Sequence, residues 1–218
     1  MKTEKQKISQ SILLLKILRE DGNILGNLKL QKQVFLNELR LLQSNIGGLY
    51  YKYFRYNYGP FSGDLWMDFT LLANKGFVHK TTYELTLRGR YLLEFVEGSI
   101  RKYKDNEEIF NLIERTTAKY RKYTGAQLMN LVYDLVVEPE DMPGKKVKIE
   151  DIPAHTDILL PECHSFKYEL KIPSQILSDI KEELAMDLDK WDHLEETHSS
   201  AVRKATRSLS AALSADPL

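Results

Sequence analysis

The stretch that decides the fold is residues 58–86, YGPFSGDLWMDFTLLANKGFVHKTTYELT. Tyr58-Gly59-Pro60-Phe61 reads as a turn, since proline presets φ and glycine adopts conformations closed to other residues. Ser62 stands where a helix N-cap belongs, with a hydroxyl that can accept one of the first unpaired N–H groups. Leu65, Trp66, Phe69 and Leu72 follow at helical spacing, which predicts a helix closed by Gly76. Phe77-Val78-His79 and Tyr83-Glu84-Leu85 then read as two short strands joined by the polar Lys80-Thr81-Thr82. Thr86 is placed to cap a further helix carrying Tyr91, Leu92, Phe95 and Val96.

Upstream, Ile8, Ile12, Leu15 and Leu18 repeat at helical spacing and Asp21-Gly22-Asn23 supplies a stop. A second helix is expected from about Lys29, with Leu30, Val34, Leu39 and Leu42 facing inward, ending near Gly47-Gly48. Leu49 to Tyr58 is rich in aromatics and strand-like. Three helices followed by a hairpin give the order of a winged helix. Downstream, Asp105 with Glu108 and Thr124 with Gln127 read as capping boxes, the first opening a helix through Tyr120. The second opens a helix carrying Leu128, Leu131, Val132 and Leu135.

Composition changes after Val137. Four of the seven prolines (Pro139, Pro143, Pro153, Pro161) fall between residues 138 and 161, as in a linker or extended arm. Within that arm Phe166 to Ile172 alternates like a strand. From Ser174 to Ala215 there is neither proline nor glycine. Leu177, Ile180, Leu184, Leu188, Trp191 and Leu194 begin an apolar stripe that runs on to Ala212 with a mean step of about 3.5, a coiled-coil seam. Unbroken, such a helix is about 50–60 Å long. A break at Ser199-Ser200, folding it into a hairpin against its own domain, is the alternative. The expected class is therefore mainly α (α+β). A winged-helix-like domain over 1–137 carries a small β-hairpin, a proline-spaced arm with one strand spans 138–173, and a long coiled-coil-like helix covers 174–218.

An apolar share of 43% suffices for a core, and the formal net charge of zero removes the simplest argument for a nucleic-acid or membrane surface. The charge is unevenly placed. Residues 1–58 carry an excess of about six positive charges and residues 138–198 an excess of about nine negative ones. The single cysteine, Cys163, has no internal disulfide partner. Lys16 and Arg19 interrupt the apolar run Ile12 to Leu15, so it does not read as a signal peptide, and no run approaches a membrane span. A reducing, cytoplasmic setting is expected.

Lys29-Leu30-Gln31-Lys32 opening a helix, Tyr58-Gly59-Pro60-Phe61-Ser62, Leu65 to Gly76-Phe77, and Leu85-Thr86 with Gly89 together resemble the YwgA-type branch of the Panacea (SocA-like) group. Tyr123-Thr124-Gly125-Ala126-Gln127-Leu128 is similar to the short final helix of that group. The resemblance spans about residues 8–137. It implies a compact, mainly helical domain from bacterial, archaeal and phage conflict systems, acting as antitoxin, adaptor or accessory subunit. It brings no catalytic residues. The motif departs from adaptor-type members in lacking a tryptophan after the first lysine motif.

Candidate chemistry is thin. Asp157 with Glu169-Leu170-Lys171 permits a metal-dependent nuclease of the kind that sets an acid on one strand and Glu-x-Lys on the next. Glu-x-Lys is common by chance in a chain with 28% charged residues, so an amphipathic edge strand is the plainer reading. His193 and His198 are spaced five apart, about 140° around a helix, which is poor for two ligands on one metal. Cys163-His164 lacks an orienting third member. Asp64 and Asp68 read as acids favoured near a helix N-terminus and exposed on it.

No catalytic residue, metal or cofactor is therefore expected. The expected function is a non-enzymatic protein–protein interaction subunit of a conflict system, antitoxin-like or accessory to an antiviral defence complex. Its partner is a toxin, effector or ATPase subunit, or a second copy of itself. Leu177, Ile180, Leu184, Leu188, Trp191 and Leu194 are the expected partner-binding residues. The alternative is a winged-helix DNA-binding regulator. Nucleic acid would then be met by Lys29, Lys32, Lys52 and Arg55, and around the wing by Lys80, Arg88 and Arg90.

Overall fold

In the computed structural model, which describes residues 2–160 and 166–184, the chain is mostly helical with a small antiparallel sheet. Helix α1 (Glu4–Asp21) opens on a capping box: Thr3 Oγ1 accepts from the Gln6 N–H and Gln6 Oε1 from the Thr3 N–H. Gly22 ends it in the left-handed region. Helix α2 (Gly26–Gln43) starts three residues earlier than its apolar period suggests. Strands β1 (Tyr53–Tyr56) and β2 (Gly59–Phe61) form a hairpin, so Gly59-Pro60-Phe61, expected as a turn, is strand. The turn itself is Asn57-Tyr58. Pro60 is tolerated because β2 is an edge strand, and Gly59 takes φ +90°, open only to glycine at low cost.

Helix α3 (Gly63–Asn74) is capped by Ser62 Oγ, which accepts from the Leu65 N–H at 3.2 Å, and Gly76 follows it with φ +76°. The expected hairpin beyond it is short: Val78 bridges Leu85, with Thr86 N–H donating to the Phe77 carbonyl. Helix α4 (Leu87–Ile100) is capped by Thr86 and comes so close to that carbonyl that a Cβ on Gly89 would sit 2.1 Å from it. Helix α5 (Lys104–Tyr120) does not start on the Asp105 capping box. Tyr103 is its N-cap, and Asp105 pairs instead with Lys171 at 2.5 Å. Helix α6 (Gly125–Tyr133) does open on Thr124 and Gln127 as expected.

The proline-spaced segment enters the sheet. Strands β3 (Val136–Pro139), β4 (Val147–Lys148) and β5 (Asp157–Leu159) extend the hairpin in the order β2-β1-β5-β3-β4. Strand β5 lies between β1 and β3, with Tyr53 opposite Ile158 and Glu138 opposite Leu159. Only Tyr168 of the strand expected at 166–172 pairs, in an isolated parallel bridge with Ile46.

Helix α1 is central, buried at every position from Lys7 to Leu18. Its one deeply placed cation within the apolar run, Lys16, reaches Glu20, Glu97 and Glu114 at 3.0, 2.7 and 2.6 Å. Arg101 joins Glu114 at 2.9 Å and Arg19 joins Glu97 at 2.8 Å, so one charge network ties α1 to α4 and α5. A buried charge persists only when paired in this way.

Helix α7 (Ser174–Leu184) packs on α1 and α4. Ile180 is fully buried and Leu177 half-buried in the same core, Lys181 pairs with Glu4, and Arg88 donates to the Glu183 carbonyl. Leu177 and Ile180 therefore serve this chain's own core rather than an outside partner. Leu188, Trp191 and Leu194, like Cys163, His193 and His198, lie outside the described residues. No helix among the described residues is long and apolar enough to cross a membrane.

Candidate functional site

The basic residues of the N-terminal motif point inward. Lys29 Nζ donates to Asp21 Oδ1 at 2.7 Å and to the carbonyls of Asn23 and Arg121 at 2.8 Å, closing the end of α1 on the end of α5. Gln31 holds Ser62 both ways, donating to its carbonyl at 3.0 Å and accepting its N–H at 2.9 Å. Lys32 Nζ donates to the Pro60 carbonyl at 2.7 Å. Burial, with Arg55 nearby, pulls its amine down to about 7. The Lys-Leu-Gln-Lys and Gly-Pro-Phe-Ser stretches are thus two halves of one lock. Lys29 and Lys32 are structural, a correction to their reading as nucleic-acid contacts.

Arg55 is half-buried, its Nε donating to the Ile149 carbonyl and its guanidinium over the Tyr133 ring at 4.9 Å. Arg88 is more exposed but packs over Phe77 and bonds the Lys75 carbonyl. Lys52, Lys80 and Arg90 have exposed side chains.

The acids of α3 are also internal. Asp68 accepts from Gln10 Nε2 at 2.5 Å and from the Tyr51 hydroxyl at 2.9 Å, and Asp64 pairs with Lys2 at 3.4 Å. Neither is the exposed carboxylate expected on a reading helix. Glu38, buried beside them, accepts the Tyr51 N–H at 3.0 Å. Burial pushes its carboxyl up to about 8 despite that bond and the nearby Tyr53 hydroxyl. The nuclease-like trio is dispersed: Glu169 accepts from the Tyr50 hydroxyl at 2.7 Å, Lys171 faces Asp105, and Asp157 pairs along β1. Among the described residues no group of three His, Cys, Asp or Glu is placed to hold a metal ion.

The outer face of α4 behaves in the opposite way. Leu87, Tyr91 and Phe95 recur every fourth residue and are 70%, 68% and 47% exposed. Of Tyr91, Leu92, Phe95 and Val96, whose spacing predicts the helix, only Leu92 and Val96 are buried. The helix turns Gly89, Leu92, Leu93, Val96 and Ile100 inward, and this leaves an apolar stripe outside. Exposed Arg90 and Lys80 belong to the same helix and the hairpin before it. Exposed aromatic side chains recurring along one helix face are the composition of a protein-binding patch. Its sequence signal is an i, i+4, i+8 run on a helix that already has a complete apolar face.

A second surface feature is the groove between α2 and α5, about 560 Å³ in volume. Leu36, Leu39, Arg40 and Gln43 line it from α2; Leu112, Arg115, Thr116 and Lys119 line it from α5, each set at offsets 0, 3, 4 and 7. Beneath it Asn37 Nδ2 donates to Thr117 Oγ1 at 3.1 Å and Gln33 Nε2 to the Thr117 carbonyl, which fixes the helix spacing. No protein-family model, curated protein or solved structure matches this chain.

Proposed function

We propose that the chain is a non-enzymatic protein-binding subunit of a prokaryotic or phage conflict system, antitoxin-like or accessory to a defence complex. The resemblance to the Panacea group supplies the system. In this reading α1 to α3 with the Val78–Leu85 hairpin form a winged-helix-like scaffold, and the chain past Leu184 continues as helix. The observation that carries the reading is the exposed Leu87-Tyr91-Phe95 stripe, which offers apolar area to a partner while the motif cations are committed to internal bonds.

The test is co-expression with the product of each neighbouring gene, followed by co-purification and, for a toxin, rescue of growth. Tyr91→Ser/Phe95→Ser should abolish both while leaving the fold intact. A partner that binds this variant as well as the parent would overturn the assignment of the face. Sequence-specific DNA binding lost on Lys80→Glu/Arg90→Glu would favour the regulator instead.

A further inference from the structure

The α2–α5 groove shares no residue with the α4 face and has a chemistry of its own. Buried Leu36 and Leu112 with half-buried Leu39 and Leu135 make its floor, and exposed Arg40, Arg115 and Lys119 stand on its rim. None of the described residues lining it is acidic. Its volume of about 560 Å³ is that of a ligand site rather than a packing gap.

The two walls set its shape. Lys29 Nζ meets the Arg121 carbonyl, while Gln33 and Asn37 both meet Thr117, so α2 and α5 run antiparallel. The lining runs over 36–43 on one wall and 112–120 on the other, a length of about 10–12 Å or two helical turns. A trough of that length between two helices accepts a third helix, whose side chains at i, i+3 or i+4, and i+7 meet the floor.

The rim decides the charge of that helix. Elsewhere on this chain Lys16, Arg19 and Arg101 face glutamates at 2.6, 2.8 and 2.9 Å. Among the described residues no acid pairs with Arg40, Arg115 or Lys119; Arg115 bonds the Asn111 carbonyl and Lys119 lies over the Tyr120 ring. Arg115 and Lys119 are one turn apart on the α5 wall, with Arg40 on the wall facing them. Such a rim repels a basic helix and favours carboxylates on the flanks of a bound one. A nucleic acid would use the cations and leave the leucine floor unfilled. The exposed stripe of α4 in a second copy is a poor match, since Arg88 and Arg90 outweigh Glu94 beside it.

We propose that the α2–α5 groove binds an amphipathic helix of another protein, apolar along one face and acidic on its flanks, with more carboxylates on the side that meets α5. The inference does not rest on the α4 reading, since it uses other residues.

The test is fluorescence anisotropy of labelled synthetic peptides titrated with the full chain. The peptides, of about 18 residues so that they hold a helix, share one leucine stripe and carry glutamate, glutamine or lysine on the flanks. The glutamate peptide should bind saturably and the lysine peptide at least about tenfold more weakly, a difference of about 1.4 kcal/mol. Arg115→Glu/Lys119→Glu should invert that order. Both side chains are exposed, so melting temperature should hold; if the pair lowers it, Arg40→Glu on the facing helix replaces it. Tyr91→Ser/Phe95→Ser should leave peptide binding untouched, which separates failure here from failure of the proposed function. No saturable binding, equal binding of all the peptides, or an order that the reversal leaves unchanged would each overturn the proposal. So would a single-stranded oligonucleotide that binds more tightly than the glutamate peptide and is lost on the same reversal, or self-association of the chain through these residues.

Discussion

Two regions of this protein place their side chains against expectation, in opposite senses. Around the start of α2, two lysines, a glutamine and neighbouring acids are drawn inside, each ending on a named carbonyl, amide or carboxylate. Along α4, a leucine, a tyrosine and a phenylalanine are left in solvent. The difference teaches that residue type alone is a poor guide to role here. The residues that look chemically active hold the fold together, and those that look like core are available for contact.

The sharpest way to break the comparison is Lys29→Ala against Lys52→Ala. Removing Lys29 leaves Asp21, fully buried as a side chain, without its ion pair, and should cost about 3–5 kcal/mol. Removing exposed Lys52 should stay within about 0.5 kcal/mol. Chemical denaturation measures both, and equal costs would erase the distinction. Gly89→Ala comes next. Its methyl would collide with the Phe77 backbone carbonyl, which cannot swing aside as a side chain can, and a loss of about 1–3 kcal/mol is expected by the same measurement.

Buried ionisable groups sharpen the interior half through pH. Glu38 titrates near 8 when folded and near 4.5 otherwise. Between those values the native state holds the extra proton, so this contribution is fully present below about 4.5 and lost as pH rises through about 8. Lys32 titrates near 7 when folded and near 10.5 otherwise. There the unfolded chain holds the extra proton, so stability recovers as pH rises above about 7. Together they predict a minimum of stability between pH 7 and 8, read from melting temperatures across pH. Glu38→Gln should remove the falling limb and Lys32→Met the rising one. A single maximum near neutrality, unchanged by either substitution, would contradict the assignment. The smallest effect is on the exposed half. Tyr91→Ser/Phe95→Ser should move stability by no more than about 0.5 kcal/mol per site while abolishing partner capture.

Helix starts were legible where the capping group is local. Ser62, Thr86 and Thr124 each sit three residues from the N–H they accept, and that spacing is visible in sequence. Asp105 had the right spacing but a better partner, Lys171, which only the folded chain brings near. The sheet was hidden for the same reason. Strands of two to four residues paired across distant segments leave no period to read, and Pro139 ends a strand while Pro143 and Pro153 lie in loops. Burial of Lys29 and Lys32 depends on carbonyls at Arg121 and Pro60, which no local pattern announces. On α4 the apolar residues cover both sides, so spacing predicts the helix but does not separate buried Leu92, Leu93 and Val96 from exposed Leu87, Tyr91 and Phe95.

The position of β5 also sets an order of events during synthesis. Phe54 pairs with Asp157 across roughly 100 residues of chain, a separation that makes contact formation slow. Until Leu159 has left the ribosome, the β1–β2 hairpin keeps its inner edge open, with the aromatic Tyr53 and Phe54 beside unpaired backbone. A nascent chain halted at Val137 would present that edge to its neighbours on the same message. Closure of that edge therefore waits on a three-residue strand made late.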